Sequence, residues 1–211
     1  MKLVLFMGSP RKNGNTAALA APFLEECGQL GVEAETVWLY DKTILPCLGC
    51  KTCQDRTDGL GCVQEDDMAD LFGAMERSDT IVLATPIYGW FCTAPMKALM
   101  DRAVYAGTKN YGRVKGPSLL RGKNLATIVT CGYPPEKGAD LWEAGLRRWC
   151  RHSGLHWQGM LCGRDMGPGV PFLTQDKLAA ARDLSGRSFK RPAGRTYETT
   201  YRTLAPAAAG G

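Results

Sequence analysis

Leu3-Val4-Leu5-Phe6-Met7-Gly8-Ser9-Pro10-Arg11-Lys12-Asn13-Gly14-Asn15-Thr16 is the stretch on which the reading of this chain turns. A short apolar run enters a polar turn that carries two cations, Arg11 and Lys12. Gly8 and Gly14 allow tight turning and close approach to a ligand, and Ser9, Asn15 and Thr16 offer short hydrogen-bonding side chains. The helix that follows points its free N–H groups at an anion. The stretch therefore reads as strand, phosphate cradle and helix; the plainer reading is an ordinary glycine-rich turn. Spacing excludes two common nucleotide loops. Gly14 is followed by Asn15-Thr16 and not by the Lys-Ser/Thr of a P-loop, and no G-x-G-x-x-G is present.

Working outward, apolar and amphipathic runs alternate. Strands are expected at 2–7, 32–40, 80–85, 124–131 and 155–162, each short, rich in Val, Ile, Leu, Thr or aromatics, and bounded by turn residues. Helices are expected at 15–29, 66–77, 94–105, 139–152 and 174–189, with start signals at Asp66-Asp67, at Thr93 before Ala94-Pro95, and at Thr174 with Asp176 following. Pro22 falls inside the first helix and should kink or shorten it. Strands each followed by a helix, without a hairpin signal, give a doubly wound α/β domain with a parallel sheet covered on both faces. Such sheets bind ligands at the carboxyl ends of their strands, so the loops after the third and fourth strands should share a site with Gly8 to Thr16.

Composition narrows the class. The 211 residues, 45% apolar and 22% charged, suit one soluble domain over 1–189, with 190–211 as a weakly ordered tail. The net charge of +5 is modest. Its one basic cluster, Arg187, Lys190, Arg191 and Arg195, lacks interleaved aromatics and reads as a solvated tail, not a nucleic-acid surface. No small-residue cleavage site follows the first apolar run, and the uncharged run 80–96 is interrupted by Pro86, Gly89 and Pro95. A cytoplasmic protein outside the membrane is expected. Its nine cysteines are then thiols or metal ligands, not a disulfide framework.

Thr85-Pro86-Ile87-Tyr88-Gly89-Trp90-Phe91 follows the third strand, a loop with a rigid proline, a permissive glycine and three aromatic rings. Thr130-Cys131-Gly132-Tyr133-Pro134-Pro135 follows the fourth. Aromatics at the ligand end of a sheet suit a flat, partly apolar ring, and one loop for a phosphate with two for a ring describe flavin mononucleotide (FMN). The plainer reading has these aromatics filling core or a subunit contact.

Gly8-Ser9-Pro10-Arg11-x-x-Gly14-Asn15-Thr16, Thr85-Pro86-Ile87-Tyr88-Gly89-Trp90 and Ala94-Pro95-Met96-Lys97-x-x-x-Asp101-Arg102 together resemble the NADPH-dependent FMN reductase family of flavodoxin-like proteins, and in particular its iron-sulfur flavoprotein branch. The resemblance covers roughly residues 1–189 and implies a five-stranded sheet of order 2-1-3-4-5. It also implies an FMN phosphate held by Ser9, Arg11, Asn15 and Thr16, and an isoalloxazine ring held by Pro86, Ile87, Tyr88, Gly89 and Trp90. Cys131 and Gly132 lie along the other edge of the ring by the same analogy. NAD(P)H as co-substrate and a homodimer or homotetramer follow from the resemblance alone. The flavin carries the electron chemistry, so no residue is nominated as catalytic. Asp101-Arg102 reads as a helix charge pair or subunit contact.

Cys47-Leu48-Gly49-Cys50-Lys51-Thr52-Cys53 continues to Cys62 as C-x2-C-x2-C-x8-C in the loop 47–62. A close triplet with a distant fourth suits a cubane [4Fe–4S] cluster better than the paired knuckles of structural zinc. It looks like the compact motif of iron-sulfur flavoproteins, although their last gap is typically shorter. Free or disulfide-forming thiols and zinc stay as alternatives. Cys27, Cys92, Cys150 and Cys162 read as buried small hydrophobes, His152 and His156 as structural, and Trp142 and Trp149 as core or interface. The function expected is an FMN-dependent oxidoreductase that moves electrons from a nicotinamide nucleotide to a small-molecule or protein acceptor. Its rivals are a flavodoxin-like electron carrier and a thiol or metal redox sensor.

Overall fold

A computed structural model describes residues 1–110 and 116–189 of the chain. The apolar runs become five parallel strands, β1 (Lys2–Met7), β2 (Glu33–Trp38), β3 (Thr80–Pro86), β4 (Asn124–Cys131) and β5 (His156–Arg164), in the order β2-β1-β3-β4-β5. Every residue of β3 and β4 is buried, as in β1 beyond Lys2, whereas most of β2 is exposed and most of β5 half-exposed. The contrast follows from position, because central parallel strands are covered on both faces and edge strands are not.

The helices are α1 (Asn15–Gln29), α2 (Met68–Arg77), α3 (Ala94–Gly107), the single turn α4 (Pro135–Gly138), α5 (Asp140–Ser153) and α6 (Gln175–Ser188). One face of the sheet carries α1 and α6 over Leu3, Leu5, Val82 and Ile128. The other carries α2, α3 and α5 over Val4, Phe6, Ile81, Leu83 and Val129. Each such aliphatic side chain contributes about 1.5–3 kcal/mol on burial, and together they fix the register that aligns the strands' carboxyl ends.

Three sequence expectations shift. Pro22 does not end α1, which runs unbroken through it; Pro22 is itself buried between Ala20 and Phe23, and packing on that face offsets the lost hydrogen bond. β2 stops at Trp38, because residues Leu39–Asp41 turn into a 3-10 helix that buries Leu39. α2 starts at Met68 and not at Asp66, whose carboxylate instead accepts the N–H groups of Met68 (3.1 Å) and Leu45 (2.8 Å). The expected tail 190–211 lies outside the described residues. Among the described residues no helix is long and apolar enough to cross a membrane.

Candidate active site

At the carboxyl ends of the central strands the backbone is bolted together by short polar contacts. Gly8 N donates to Ala84 O (2.7 Å), Thr93 Oγ1 donates to Gly8 O (2.7 Å), and Ile87 N donates to Thr130 O (2.8 Å). A Cβ on Gly8 would lie 3.0 Å from Thr93 Oγ1 and 3.1 Å from Met96, tight enough that Thr93 or Met96 would have to shift, and glycine lets β1 and α3 meet here without that. The cradle turn closes on itself: Ser9 Oγ accepts Arg11 N (3.2 Å), and Gly14 N donates to Arg11 O (3.1 Å). No side chain caps α1, and its first intrahelical bond runs from Ala18 N to Gly14 O. The earlier N–H groups of that turn are left for a ligand.

A cavity of about 310 Å³ opens against this turn, lined by Arg11, Asn15, Pro86, Ile87, Tyr88, Thr130, Cys131, Gly132, Asp165 and Gly167. A second, of about 210 Å³, shares Ile87, Cys131 and Gly132 with it and adds Gly89, Trp90 and Tyr133. Nine of the eleven residues named from the sequence as cofactor contacts thus line two adjoining cavities. Ser9 and Thr16 do not; both are buried, Ser9 within its own turn and Thr16 against Thr130 (Oγ1 to Oγ1, 2.8 Å). Together the cavities have the size of a small-molecule site with a polar end and an apolar, aromatic end.

The aromatic end is shaped by a two-residue turn. Tyr88 N donates to Phe91 O (2.8 Å) and Phe91 N to Tyr88 O (3.1 Å), with Gly89 and Trp90 both at positive φ, 54° and 64°. A non-glycine residue in that region is strained, and here the strain projects an indole half into solvent. Trp90 stacks on Tyr133 from the loop after β4, with ring centroids 6.0 Å apart and planes 21° off parallel.

Asp165 is not among the residues named from the sequence, and Thr130 stands there only as part of its loop, without a role. Asp165 accepts Asn15 Nδ2 (2.9 Å) and Gly167 N (3.0 Å), and so orients the amide that lines the cavity. Thr130 both anchors Thr16 and pairs with Ile87. The available signal was position, since both stand at carboxyl ends of strands, Thr130 late in β4 and Asp165 directly after β5. Cys131 Sγ sits 3.5 Å from Cys162 Sγ, and burial followed by that neighbour pushes the Cys162 thiol far up. His152 and His156 occupy different elements, and Trp142 is core, its Nε1 donating to Thr127 Oγ1 (3.0 Å).

The cysteine loop packs against α3. Gly49, Lys51 and Gly61 take left-handed φ values of 64°, 63° and 66°, and the chain wraps so that Cys47, Cys50, Cys53 and Cys62 line one small cavity with Gln64, Arg102 and Tyr105. Among the described residues no three His, Cys, Asp or Glu side chains meet at the range one metal ion needs. The four cysteines that line this cavity are the kind of donor a cubane iron-sulfur cluster takes. Cys50 is exposed and its thiol is lowered, chiefly by the hydroxyl of Thr52; burial raises that of Cys53.

Arg102, expected as half of a helix charge pair or as a subunit contact, is almost wholly buried within its own chain. Its guanidinium is ion-paired to the equally buried Asp66 and donates to Leu45 O (3.2 Å) and Cys62 Sγ (3.2 Å). Burial alone would raise the Asp66 carboxyl, but Arg102 and the N–H groups of Leu45 and Met68 outweigh it and hold the group below the usual carboxylate range. Asp101 pairs instead with Lys97 at the surface (2.5 Å).

The family profile of NADPH-dependent FMN reductases matches residues 1–156 of the chain. The chain is 36% identical over 151 residues to an iron-sulfur flavoprotein of Archaeoglobus fulgidus, a match covering 71% of this chain and 64% of that relative, just under two thirds of its length. It is 35% identical over 161 residues to an iron-sulfur flavoprotein of Methanosarcina thermophila, covering 76% of each. Among solved structures it resembles an FMN-dependent NADH-azoreductase from Bacillus anthracis in complex with FMN (TM-score 0.65, 14% identity, 89% and 99% of the two chains). An NAD(P)H:quinone oxidoreductase from Methanothermobacter marburgensis is similar too (TM-score 0.64, 18% identity, 88% and 97%). At such identities the structural likeness concerns the fold.

Proposed function

The chain belongs to the NADPH-dependent FMN reductase family, and we propose that it is an FMN-dependent oxidoreductase that takes electrons from a nicotinamide nucleotide and passes them to a small-molecule or protein acceptor. The observation that carries this reading is the pair of adjoining cavities, polar at Arg11 and Asn15 and aromatic at Tyr88, Trp90 and Tyr133, at the carboxyl ends of a parallel sheet. Arg11 and the open N–H groups of α1 take the phosphate, and Asn15, held by Asp165, donates toward it. Ser9 and Thr16 act one layer back by shaping the turn. Pro86 to Trp90 on one side, and Cys131 with Gly132 on the other, hold the ring. FMN supplies the acceptance and release of electrons, and the protein positions it and limits access.

Cys47, Cys50, Cys53 and Cys62 hold a [4Fe–4S] cluster on this reading, supported by the donor set and by the names of the relatives. A cytoplasmic dimer or tetramer belongs to the same proposal. Anaerobic stopped-flow mixing of the FMN-loaded chain with NADPH or NADH tests the activity. Rapid bleaching of the flavin absorbance with either is expected. No bleaching with either would leave a flavodoxin-like carrier in place of the reductase.

A further inference from the structure

The cysteine loop has little apolar packing to hold it. Leu48 is exposed, Leu45 largely so, and of its described apolar residues only Ile44 and Leu60 pack against a core. What joins it to the rest of the molecule is polar and comes from α3 and its C-terminal extension. Arg102 reaches both flanks of the loop at once: Leu45 O before it, Cys62 Sγ at its last cysteine, and Asp66 after it. Its Nε is buried and has no partner among the described residues.

Seven residues on, Lys109 is fully buried and spends its ammonium on three carbonyls of the same loop: Cys53 (3.0 Å), Gly59 (2.7 Å) and Leu60 (3.1 Å). No ion pair neutralises Lys109 among the described residues, whereas Arg102 has Asp66. The x8 gap from Cys53 to Cys62 is therefore bridged by cations, Lys109 joining its start to Gly59 and Leu60 near its end and Arg102 holding Cys62 itself. A buried cation without a counter-charge is costly unless negative charge comes to it, and four thiolates around an iron-sulfur core bring net negative charge.

We propose that Arg102 and Lys109 are positioning residues for the group held by the four cysteines: Lys109 folds the long gap into place, and Arg102 sets the group's reduction potential through its hydrogen bond to the Cys62 sulfur. This rests on the cluster reading above. Reduction adds one negative charge to a thiolate-bound cluster. A charged donor on a ligand sulfur stabilises the reduced form more than the oxidised one, so the potential rises. Lysine cannot replace the arginine, because a single point donor does not reach Asp66, Leu45 O and Cys62 Sγ together.

The test compares wild type with R102K, which keeps a charge beside Asp66, after anaerobic reconstitution of the full chain with iron and sulfide. Iron and sulfide are assayed first, and the bound cluster is then titrated redox-wise by low-temperature electron paramagnetic resonance. At the wild-type midpoint, the ratio of reduced to oxidised cluster is expected to fall about tenfold in R102K, equal to about 59 mV for a one-electron couple. An R102K chain that folds but takes up no iron also supports the proposal, since Cys62 has then lost its orientation. Loaded R102K with the wild-type midpoint overturns the role of Arg102 alone. Wild type that takes up no iron overturns the cluster reading and this proposal with it. K109M, read by hydrogen exchange on the iron-free chain, should expose the amides of 53–60 at least about tenfold while strand amides keep their protection; unchanged exchange there overturns the clamp.

Discussion

The segments Gly8 to Thr16 and Cys47 to Cys62 are the two chemically distinctive stretches of this chain, and they are held by opposite means. The first is an extension of β1: its ends are continuous with a strand and a helix, its carbonyls and amides are tied to β3 and to the start of α3, and its neighbours are buried side chains of two cores. The second has no strand, only the 3-10 turn Thr52–Asp55, and it is tied to one helix and its extension by polar side chains, Arg102 and Lys109 from the helix side and Gln54, which donates to Tyr105 O, from the loop. α3 joins the two, since Thr93 at its start fastens the cradle and Arg102 further along fastens the loop. A site built on a sheet inherits the sheet's rigidity; a site built on a loop requires its own polar clamps.

The largest expected effect comes from breaking the clamp. Arg102→Met leaves the Asp66 carboxylate buried without its partner and should cost about 3–5 kcal/mol in urea unfolding, with Arg102→Lys losing far less. A loss under about 1 kcal/mol for the methionine variant would show that the buried pair does not hold the loop. Gly8→Val comes next, because its side chain overlaps Thr93 and Met96. It should cost about 1–3 kcal/mol and, by displacing the cradle, weaken FMN binding, while hydrogen exchange of 45–66 stays as in wild type. Changed exchange in both regions would mean that cradle and loop are not independent.

Asn15→Ala removes one neutral donor from the cavity and should weaken FMN binding about tenfold, with unfolding changed by under about 1 kcal/mol. Acid sharpens the comparison further. Asp66 is held below its ordinary value in the folded chain, so its contribution is present above the unfolded carboxyl value of about 4 and is lost as pH falls through the folded value. Unfolding followed from pH 6 to pH 3 should show a stability loss that Asp66→Asn makes shallower; identical slopes would remove Asp66 from the account. The last difference is one of thiol reactivity. In the iron-free chain iodoacetamide should label Cys50 about 100-fold or more faster than Cys92 or Cys150, whose thiols burial pushes up to about 12.

The same division governs what the sequence made legible. The boundaries of β1 and β4 follow from local pattern, because strands covered on both faces read as short, mostly apolar runs bounded by turn residues. Most of the residues that line the two adjoining cavities were legible too, once parallel strands place Gly8, Pro86 and Cys131 at one edge. What escaped depends on partners remote in sequence. Asp165 meets Asn15 across 150 residues, and Arg102 meets Asp66 across 36. On its own helix Arg102 follows an aspartate and reads as a charge pair or subunit contact; nothing local says that it turns inward and leaves Asp101 to Lys97. Pro22 misleads for a related reason, since local propensity is overridden by the core it packs against.

FMN binding in the cavity between the cradle and the aromatic turn is tested most directly by titrating the cofactor-free chain with FMN while following flavin fluorescence. Saturable quenching at one FMN per chain is predicted, with a yellow protein after gel filtration. A chain that stays colourless and leaves the fluorescence unchanged contradicts it.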